Sequence, residues 1–140
     1  MGKALADAFP AARTVFDEVD AALSQKLSTL MWEGPEADLT LTANAQPALM
    51  AVSMAVLAVL QAEHGVTVAS TAKFVGGHSL GEYSALAAAG TFSLSDTARL
   101  LRIRGKAMQA ATPLGIGAMA AILGLDFADV AAVAKDAAQG

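Results

Sequence analysis

Residues 72–90, AKFVGGHSLGEYSALAAAG, contain the pattern G-x-S-x-G over residues 77–81. Residues 72–75 are mostly apolar and too few for a helix, so we predict a short buried strand there. Residues 80–89 are rich in Leu and Ala and are followed by Gly90, which predicts a helix that ends at this glycine. A strand, this pattern and a helix in direct succession are typical of a nucleophile elbow.

The elbow predicts a serine nucleophile with half of an oxyanion hole. Ser79 would occupy a strained turn, and Gly77 and Gly81 would let neighbouring backbone approach closely. The backbone N–H of Leu80 would lie at a helix N-terminus, where partial positive charge stabilises an oxyanion. His78 adjoins the serine but diverges from it on a tight turn, so we expect it to shape the elbow. The alternative is a loop that only turns the chain.

An inward-facing arginine is the second candidate. Ser93 is a predicted N-cap for a helix over residues 94–111. Three basic residues share one face of this helix, namely Arg99, Arg102 and Lys106. Arg104 falls instead with Leu101 and Met108, so we expect it to point inward and to need an anionic partner. That partner is either a carboxylate of the chain or, as the predicted nucleophile favours, the carboxylate of a substrate.

Composition excludes several classes of function. Among 140 residues, 9 Lys and Arg stand against 13 Asp and Glu, and the formal charge of −4 provides no basic field for nucleic acid. The absence of Cys excludes a disulfide scaffold, a thiolate zinc site and a cysteine nucleophile. The two His and the carboxylates show no metal-ligand spacing, so we predict no metal. The first ten residues lack the apolar segment of a secretory signal, and we expect a cytoplasmic protein.

Other periodic segments indicate a largely helical framework. Residues 10–23 have apolar side chains at helical spacing and predict an amphipathic surface helix. Residues 47–63 are apolar nearly all round and predict a central buried helix that begins at Pro47. Residues 31–38 predict a turn-bearing connection between these two, and residues 126–138 predict a last helix.

A charge-free stretch, residues 39–62, raises the alternative of a membrane span. Polar residues interrupt it, and its apolar part, residues 48–60, is too short to cross about 30 Å of hydrocarbon. We therefore predict a buried helix and no membrane association.

A second apolar segment of strand length covers residues 118–125, after a break in the helical pattern. Two short strands cannot close a sheet and would leave their edges exposed. We therefore expect that this chain is cut from a longer one.

The residues around the elbow resemble a known family. Residues 77–90, GHSLGEYSALAAAG, are similar to the malonyl-CoA:acyl carrier protein transacylases, the acyltransferases of bacterial fatty acid synthesis. Three further segments resemble that family in the same order along the chain: NAQPAL at residues 44–49, IRGKAMQ at residues 103–109 and GAMAAI at residues 117–122.

The resemblance implies an α/β fold. Residues 1–114 would form an incomplete α/β-hydrolase-like acyltransferase core with parallel strands and flanking helices. Residues 115–140 would begin a small ferredoxin-like subdomain. We expect a monomer when the protein is complete.

The resemblance also implies roles for individual residues. Ser79 would be malonylated, the Leu80 N–H would donate to the oxyanion and Arg104 would hold the malonyl carboxylate. Gln46, which the residues alone leave either as a cap of backbone groups or as a residue facing the cleft, would line or support the pocket. Met108 would lie near the acyl group. Malonyl-CoA and acyl carrier protein would be the partners, with no cofactor beyond the coenzyme A thioester itself.

Two parts of the family pattern have no counterpart here, namely the opening loop that supplies a second oxyanion donor and the distal histidine base. Without that base, we expect the isolated chain to be inactive. Two alternatives remain at this point. One is a serine esterase of the α/β-hydrolase kind, which has no need of an inward arginine. The other is a non-catalytic module that binds carrier protein or a partner subunit.

Overall fold

The computed structural model describes residues 1–112, 115–116 and 120–138. Within these residues all regular secondary structure is helical. The helices are α1 (Lys3–Ala8), α2 (Pro10–Leu23), α3 (Leu27–Glu33), α4 (Glu36–Thr40), α5 (Thr42–His64), α6 (Val68–Thr71), α7 (Gly81–Ala88), α8 (Leu94–Ala111) and α9 (Phe127–Ala137).

The core forms where α5 packs against α2 and α8, which also contact each other. Alanines line these contacts and are fully buried: Ala12, Ala48, Ala51, Ala55 and Ala98. Such small side chains let helix axes approach closely. Phe16 of α2, Met50 of α5 and Leu101 of α8 fill the remaining space. The amphipathic helix predicted over residues 10–23 is confirmed.

The central helix α5 begins at Thr42, five residues before its predicted start at Pro47. Pro47 lacks an N–H and so cannot donate to the carbonyl of Ala43. Contacts from elsewhere hold this first turn nevertheless. Asn44 Nδ2 donates to the Asp38 carbonyl at 2.8 Å, and Gly105 of α8 packs directly against the turn. Tertiary contacts therefore extend the helix beyond its local signal.

Helix α5 is the one helix among the described residues that is long and apolar enough, by length and composition alone, to cross a membrane. The argument from a short apolar run is therefore wrong, because the helix has 23 residues. Its most apolar window is 39% buried inside the structure, and its face with Met50, Ala51 and Ala55 forms part of the core. A single helix of this kind is weak evidence for a membrane span.

The predicted strands are not formed by the described residues. Residues 72–77, between α6 and α7, have no regular structure, although Ala72 has extended backbone with φ −111° and ψ 134°. Phe74 is 92% exposed, which contradicts a buried strand within these residues. A strand requires a neighbouring backbone to pair with, and none of the described segments supplies one. Of the second predicted strand, residues 118 and 119 lie outside the described residues and residues 120–125 carry no strand.

Other boundaries follow local capping. Ser93 Oγ accepts the Asp96 N–H at 3.0 Å at the start of α8, as predicted. The predicted connection over residues 31–38 is wrong in part, because it includes the end of α3 and most of α4. The start of α3 is held by buried Asp20, whose carboxylate accepts the Ser28 N–H at 2.8 Å and its hydroxyl at 2.7 Å.

The last helix, α9, lies within one residue of its predicted bounds and buries none of its residues. The predicted boundary between residues 114 and 115 falls at Leu114, which lies outside the described residues. The first half of the GAMAAI motif, residues 117–119, also lies outside them. The division into two units stays a prediction.

Candidate active site

Ser79 occupies a sharp turn at the start of α7. Its φ is 56°, a left-handed conformation that is uncommon for a residue other than glycine. The turn is closed by the Gly81 N–H, which donates to the His78 carbonyl at 2.8 Å. Backbone strain of this kind clusters at functional sites. The elbow predicted from the sequence is therefore formed, although no paired strand precedes it among the described residues.

The elbow needs a glycine at position 77, because the backbone of Gly81 and Glu82 lies very close to this residue. A Cβ on Gly77 would lie 2.0 Å from the backbone C and O of Gly81 and 2.6 Å from the Glu82 nitrogen. Backbone atoms of a tight turn cannot move away from such a clash. A Cβ on Gly81, by contrast, would meet nothing within 4 Å. The expectation of two sterically necessary glycines holds within this structure for Gly77 alone.

The backbone N–H of Leu80 stands next to the nucleophile. Leu80 precedes the first residue of α7, and within the described residues its N–H donates to no other group. A free N–H at a helix N-terminus is suited to stabilise negative charge. The His78 side chain is exposed, and its residue contributes a backbone carbonyl to the turn.

Arg104 of α8 joins the elbow to α5. Its Nη2 donates to Ser79 Oγ at 3.1 Å, and its Nη1 donates to Gln46 Oε1 at 2.6 Å. Its Cζ lies 5.9 Å from the centre of the Tyr83 ring, within the range of a cation–π contact. The side chain is half-buried and faces the elbow. The structure thus brings together Ser79, Arg104 and Gln46 from three separate helices or turns.

No carboxylate neutralises Arg104 within the described part of the chain. The ion pairs of the described residues involve other groups, namely Arg13–Asp7, Lys26–Asp20 and Arg99–Asp96. Ser79 and Gln46 are neutral partners, so neither supplies a negative charge opposite the guanidinium. The alternative of a structural salt bridge finds no partner in these residues. The arrangement instead provides a place for an external anion.

Gln46 is only 3% exposed and connects Arg104 to the interior. Its Nε2 donates to Thr42 Oγ1 at 2.7 Å and to Met108 Sδ at 3.4 Å. Of the two roles left open by the sequence, capping of backbone groups is not what this side chain does. Met108 is 37% exposed and lies one turn beyond Arg104 on α8.

Arg102 differs in burial from Arg99 and Lys106, the two other basic residues predicted to share its face of α8. Arg99 and Lys106 are exposed, whereas Arg102 is partly buried, and burial lowers its pKa. Its guanidinium donates to Asn44 Oδ1 and, at 2.7 Å, to Gln25 Oε1. These partners are distant in sequence, so periodicity alone could not indicate them.

Two residues of the site were missed by the sequence reasoning. Thr42 holds the amide of Gln46. Gly105 marks the closest approach of α8 to α5, because its Cβ would lie 2.5 Å from Ala43 Cα and 2.6 Å from the Thr42 carbonyl oxygen. A glycine in a helix interior costs stability and usually has a packing reason, which is the signal that could have identified Gly105.

An apolar groove of about 700 Å³ lies beside the elbow. Val56 of α5 lines one wall, and Phe74, Leu80 and Ser84 line the other. Neither Ser79 nor Arg104 lines it. The described residues contain no group of three or more side chains placed to hold a metal ion.

Comparison with known proteins identifies the family. The profile of the acyl transferase domain matches residues 1–137. The chain belongs to the acyl transferase domain family. The malonyl CoA-acyl carrier protein transacylase of Bacillus subtilis is 53% identical to this acyl transferase over 126 residues, which are 90% of the chain and 38% of that relative.

Solved structures agree with this assignment. The acyl-carrier-protein-S-malonyltransferase from Bartonella henselae is 65% identical and superposes with a TM-score of 0.88 over 97% of the chain. A malonyl-transacylase in complex with its type II PKS acyl-carrier protein is 42% identical, with a TM-score of 0.86 over 99% of the chain. The chain covers 43% of the first of these proteins and 44% of the second. It therefore has the fold of the corresponding part of an acyl transferase and spans about two fifths of the length of its relatives.

Proposed function

We propose that this acyl transferase moves a malonyl group from coenzyme A to the phosphopantetheine thiol of acyl carrier protein, in fatty acid biosynthesis. The observation that carries the proposal is the position of Arg104, which donates to Ser79 Oγ at 3.1 Å and has no carboxylate partner among the described residues. The names of the relatives, which are malonyl transacylases, support the same substrate.

The spacing of charge and nucleophile suits malonyl. A single methylene separates the carboxylate of malonyl from its thioester carbonyl. The group that binds this carboxylate must therefore lie close to the group that attacks the carbonyl. Arg104 and Ser79 are within hydrogen-bond distance of each other. A plain serine esterase of the α/β-hydrolase kind would gain nothing from an unpaired arginine at this place.

The proposed reaction has two steps through a covalent intermediate. Ser79 Oγ attacks the thioester carbonyl carbon and its proton passes to a base; the C–S bond then breaks, and coenzyme A takes this proton and leaves as the thiol. The thiol of the carrier then gives its proton to the base and attacks the malonyl ester of Ser79, and the C–O bond breaks as the base returns the proton to Ser79 Oγ. In both steps the Leu80 N–H would stabilise the oxyanion.

The remaining site residues support these steps. Arg104 would bind the malonyl carboxylate, and Gln46 would support Arg104 from the interior. Met108 would lie near the acyl group. His78 would shape the elbow through the turn that its carbonyl closes.

The general base that would take the Ser79 proton is assigned by resemblance to the family. Neither His64 nor His78 donates to or accepts from Ser79 within the described residues, where Arg104 is the partner of the hydroxyl. A histidine from another segment, as in the family, would take the serine proton. We therefore expect the 140-residue chain alone to lose several orders of magnitude in rate.

The wider architecture is proposed on the same basis. The complete protein would have a parallel sheet in its core, to which residues 72–75 contribute a strand, and a ferredoxin-like subdomain that begins at residue 115. It would be a cytoplasmic monomer that needs no cofactor and binds neither nucleic acid nor membrane. Acyl carrier protein is its proposed protein partner, supported by the related complex with a carrier protein.

Intact mass spectrometry tests the function. The natural protein is incubated with malonyl-CoA and then with holo acyl carrier protein, beside a Ser79→Ala variant. We expect one malonyl adduct at Ser79 that the carrier thiol removes, and none in the variant. An adduct lost to water but never to the carrier would indicate an esterase. No adduct at all would indicate a non-catalytic binding module.

A further inference from the structure

Gln46 uses both ends of its side-chain amide in a buried place. Its Oε1 accepts from Arg104 at 2.6 Å, and its Nε2 donates to Thr42 Oγ1 at 2.7 Å and to Met108 Sδ at 3.4 Å. The residue is 3% exposed, so water does not replace a lost partner easily. A buried amide left without partners costs free energy.

The chemistry of the partners allows this amide one orientation. A guanidinium has donors only, so the oxygen end of Gln46 must face Arg104. If the amide were reversed, its NH2 group would face the guanidinium and two sets of donors would oppose each other. At the other end, Thr42 supplies a strong acceptor for Nε2, whereas the thioether sulfur of Met108 is a weak one. Arg104 therefore sets which end of the amide faces it, and Thr42 is the stronger of the two groups that hold the nitrogen end in place.

Thr42 itself is held firmly against α8. It is the first residue of α5, and its carbonyl oxygen would lie 2.6 Å from a Cβ on Gly105. Gly105 directly follows Arg104 in the chain. The contact between the two helices thus fixes the distance between Thr42 and Arg104, with Gln46 between them.

We infer that Thr42 is a positioning residue for the choice of acyl group: its hydroxyl anchors the nitrogen end of the Gln46 amide, which in turn holds Arg104 where a substrate carboxylate binds. This inference rests on the proposed function. It assigns Thr42 no contact with substrate. It predicts that loss of the hydroxyl weakens the use of a charged acyl group and spares an uncharged one.

The test compares Thr42→Val, which keeps the side-chain shape, with Thr42→Ser, which keeps the hydroxyl. The natural protein and both variants are assayed for kcat/KM with malonyl-CoA and with acetyl-CoA, after circular dichroism has verified their folding. For Thr42→Val we expect malonyl kcat/KM to fall about tenfold, mainly through KM, and the acetyl value to change less than about twofold. Thr42→Ser should remain within about twofold of the natural protein for both substrates.

A second readout keeps the inference separate from the proposed function. The side-chain NH2 protons of Gln46 are followed by NMR in protein with 15N-labelled glutamine, assigned by the signal missing in Gln46→Asn. We expect slow exchange with solvent in the natural protein and in Thr42→Ser, and faster exchange in Thr42→Val.

Each outcome then decides one of the two claims. If the natural protein transfers malonyl but Thr42→Val changes both substrates equally or neither, the inference is overturned and the function stands. If the natural protein transfers no malonyl, the function fails, and the Gln46 exchange decides whether Thr42 positions the amide. Equal exchange in Thr42→Val and Thr42→Ser overturns the inference in either case.

Discussion

Arg104 Nη2 lies 3.1 Å from Ser79 Oγ, although the two residues stand on different elements of the fold. The strained turn before α7 presents the serine, and α8 presents the arginine beside it. The guanidinium is anchored on its other side by Gln46 at 2.6 Å. A cation held this close to a nucleophile can bind an anionic group of the molecule that the nucleophile attacks.

Gly77→Ala should disrupt the elbow. Its Cβ would lie 2.0 Å from the backbone of Gly81, so the turn must open or the chain must shift. We expect a loss of at least about 3 kcal/mol in the free energy of unfolding, measured by urea denaturation, together with loss of malonylation. Gly81→Ala is the comparison, because its Cβ meets nothing within 4 Å. Equal effects of the two changes would refute the assigned role of Gly77.

Gly105→Ala should destabilise the protein even though alanine favours helices. The exchange gains about 1 kcal/mol of helix propensity, but the added Cβ would lie 2.5 Å from Ala43 Cα. We expect a net loss of about 2 kcal/mol or more in the free energy of unfolding. The control is Ala107→Gly at an exposed position of α8, which should cost about 1 kcal/mol from propensity alone. A Gly105→Ala variant more stable than the natural protein would contradict the close contact of α5 and α8.

Ser93→Ala should remove the N-cap of α8. The Asp96 N–H, now bonded to Ser93 Oγ at 3.0 Å, would lose its partner. The expected cost is about 1 kcal/mol in the midpoint-derived free energy of unfolding. Ser53→Ala serves as control, because exposed Ser53 donates only to the Leu49 carbonyl of its own helix. If both variants unfold at the same denaturant concentration, the cap contributes nothing.

Local signals in the sequence predicted those features that depend on neighbouring residues. The cap at Ser93 and the stop at Gly90 act within one turn. The start of α8 and the end of α7 therefore lie within about two residues of where the sequence predicts them. The start of α3 could not be predicted locally, because Asp20 caps it from eight positions before Ser28. The strand over residues 72–75 has no partner among the described residues, and no local signal can replace one.

In the candidate site, too, local patterns indicate some residues, whereas others depend on tertiary contacts. The elbow motif identified Ser79, and the apolar face of α8 identified Arg104. Thr42 was missed because a threonine at the start of a helix has no distinctive pattern, and its function depends on Gln46 and on the contact with Gly105.

The central claim is that Arg104 holds the carboxylate of the acyl group that Ser79 takes up. Its most direct test is kcat/KM with malonyl-CoA and with acetyl-CoA for the natural protein and for Arg104→Ala. We predict that the malonyl value falls by roughly a hundredfold or more, while the acetyl value is unchanged or rises. Equal losses with both substrates would contradict the claim.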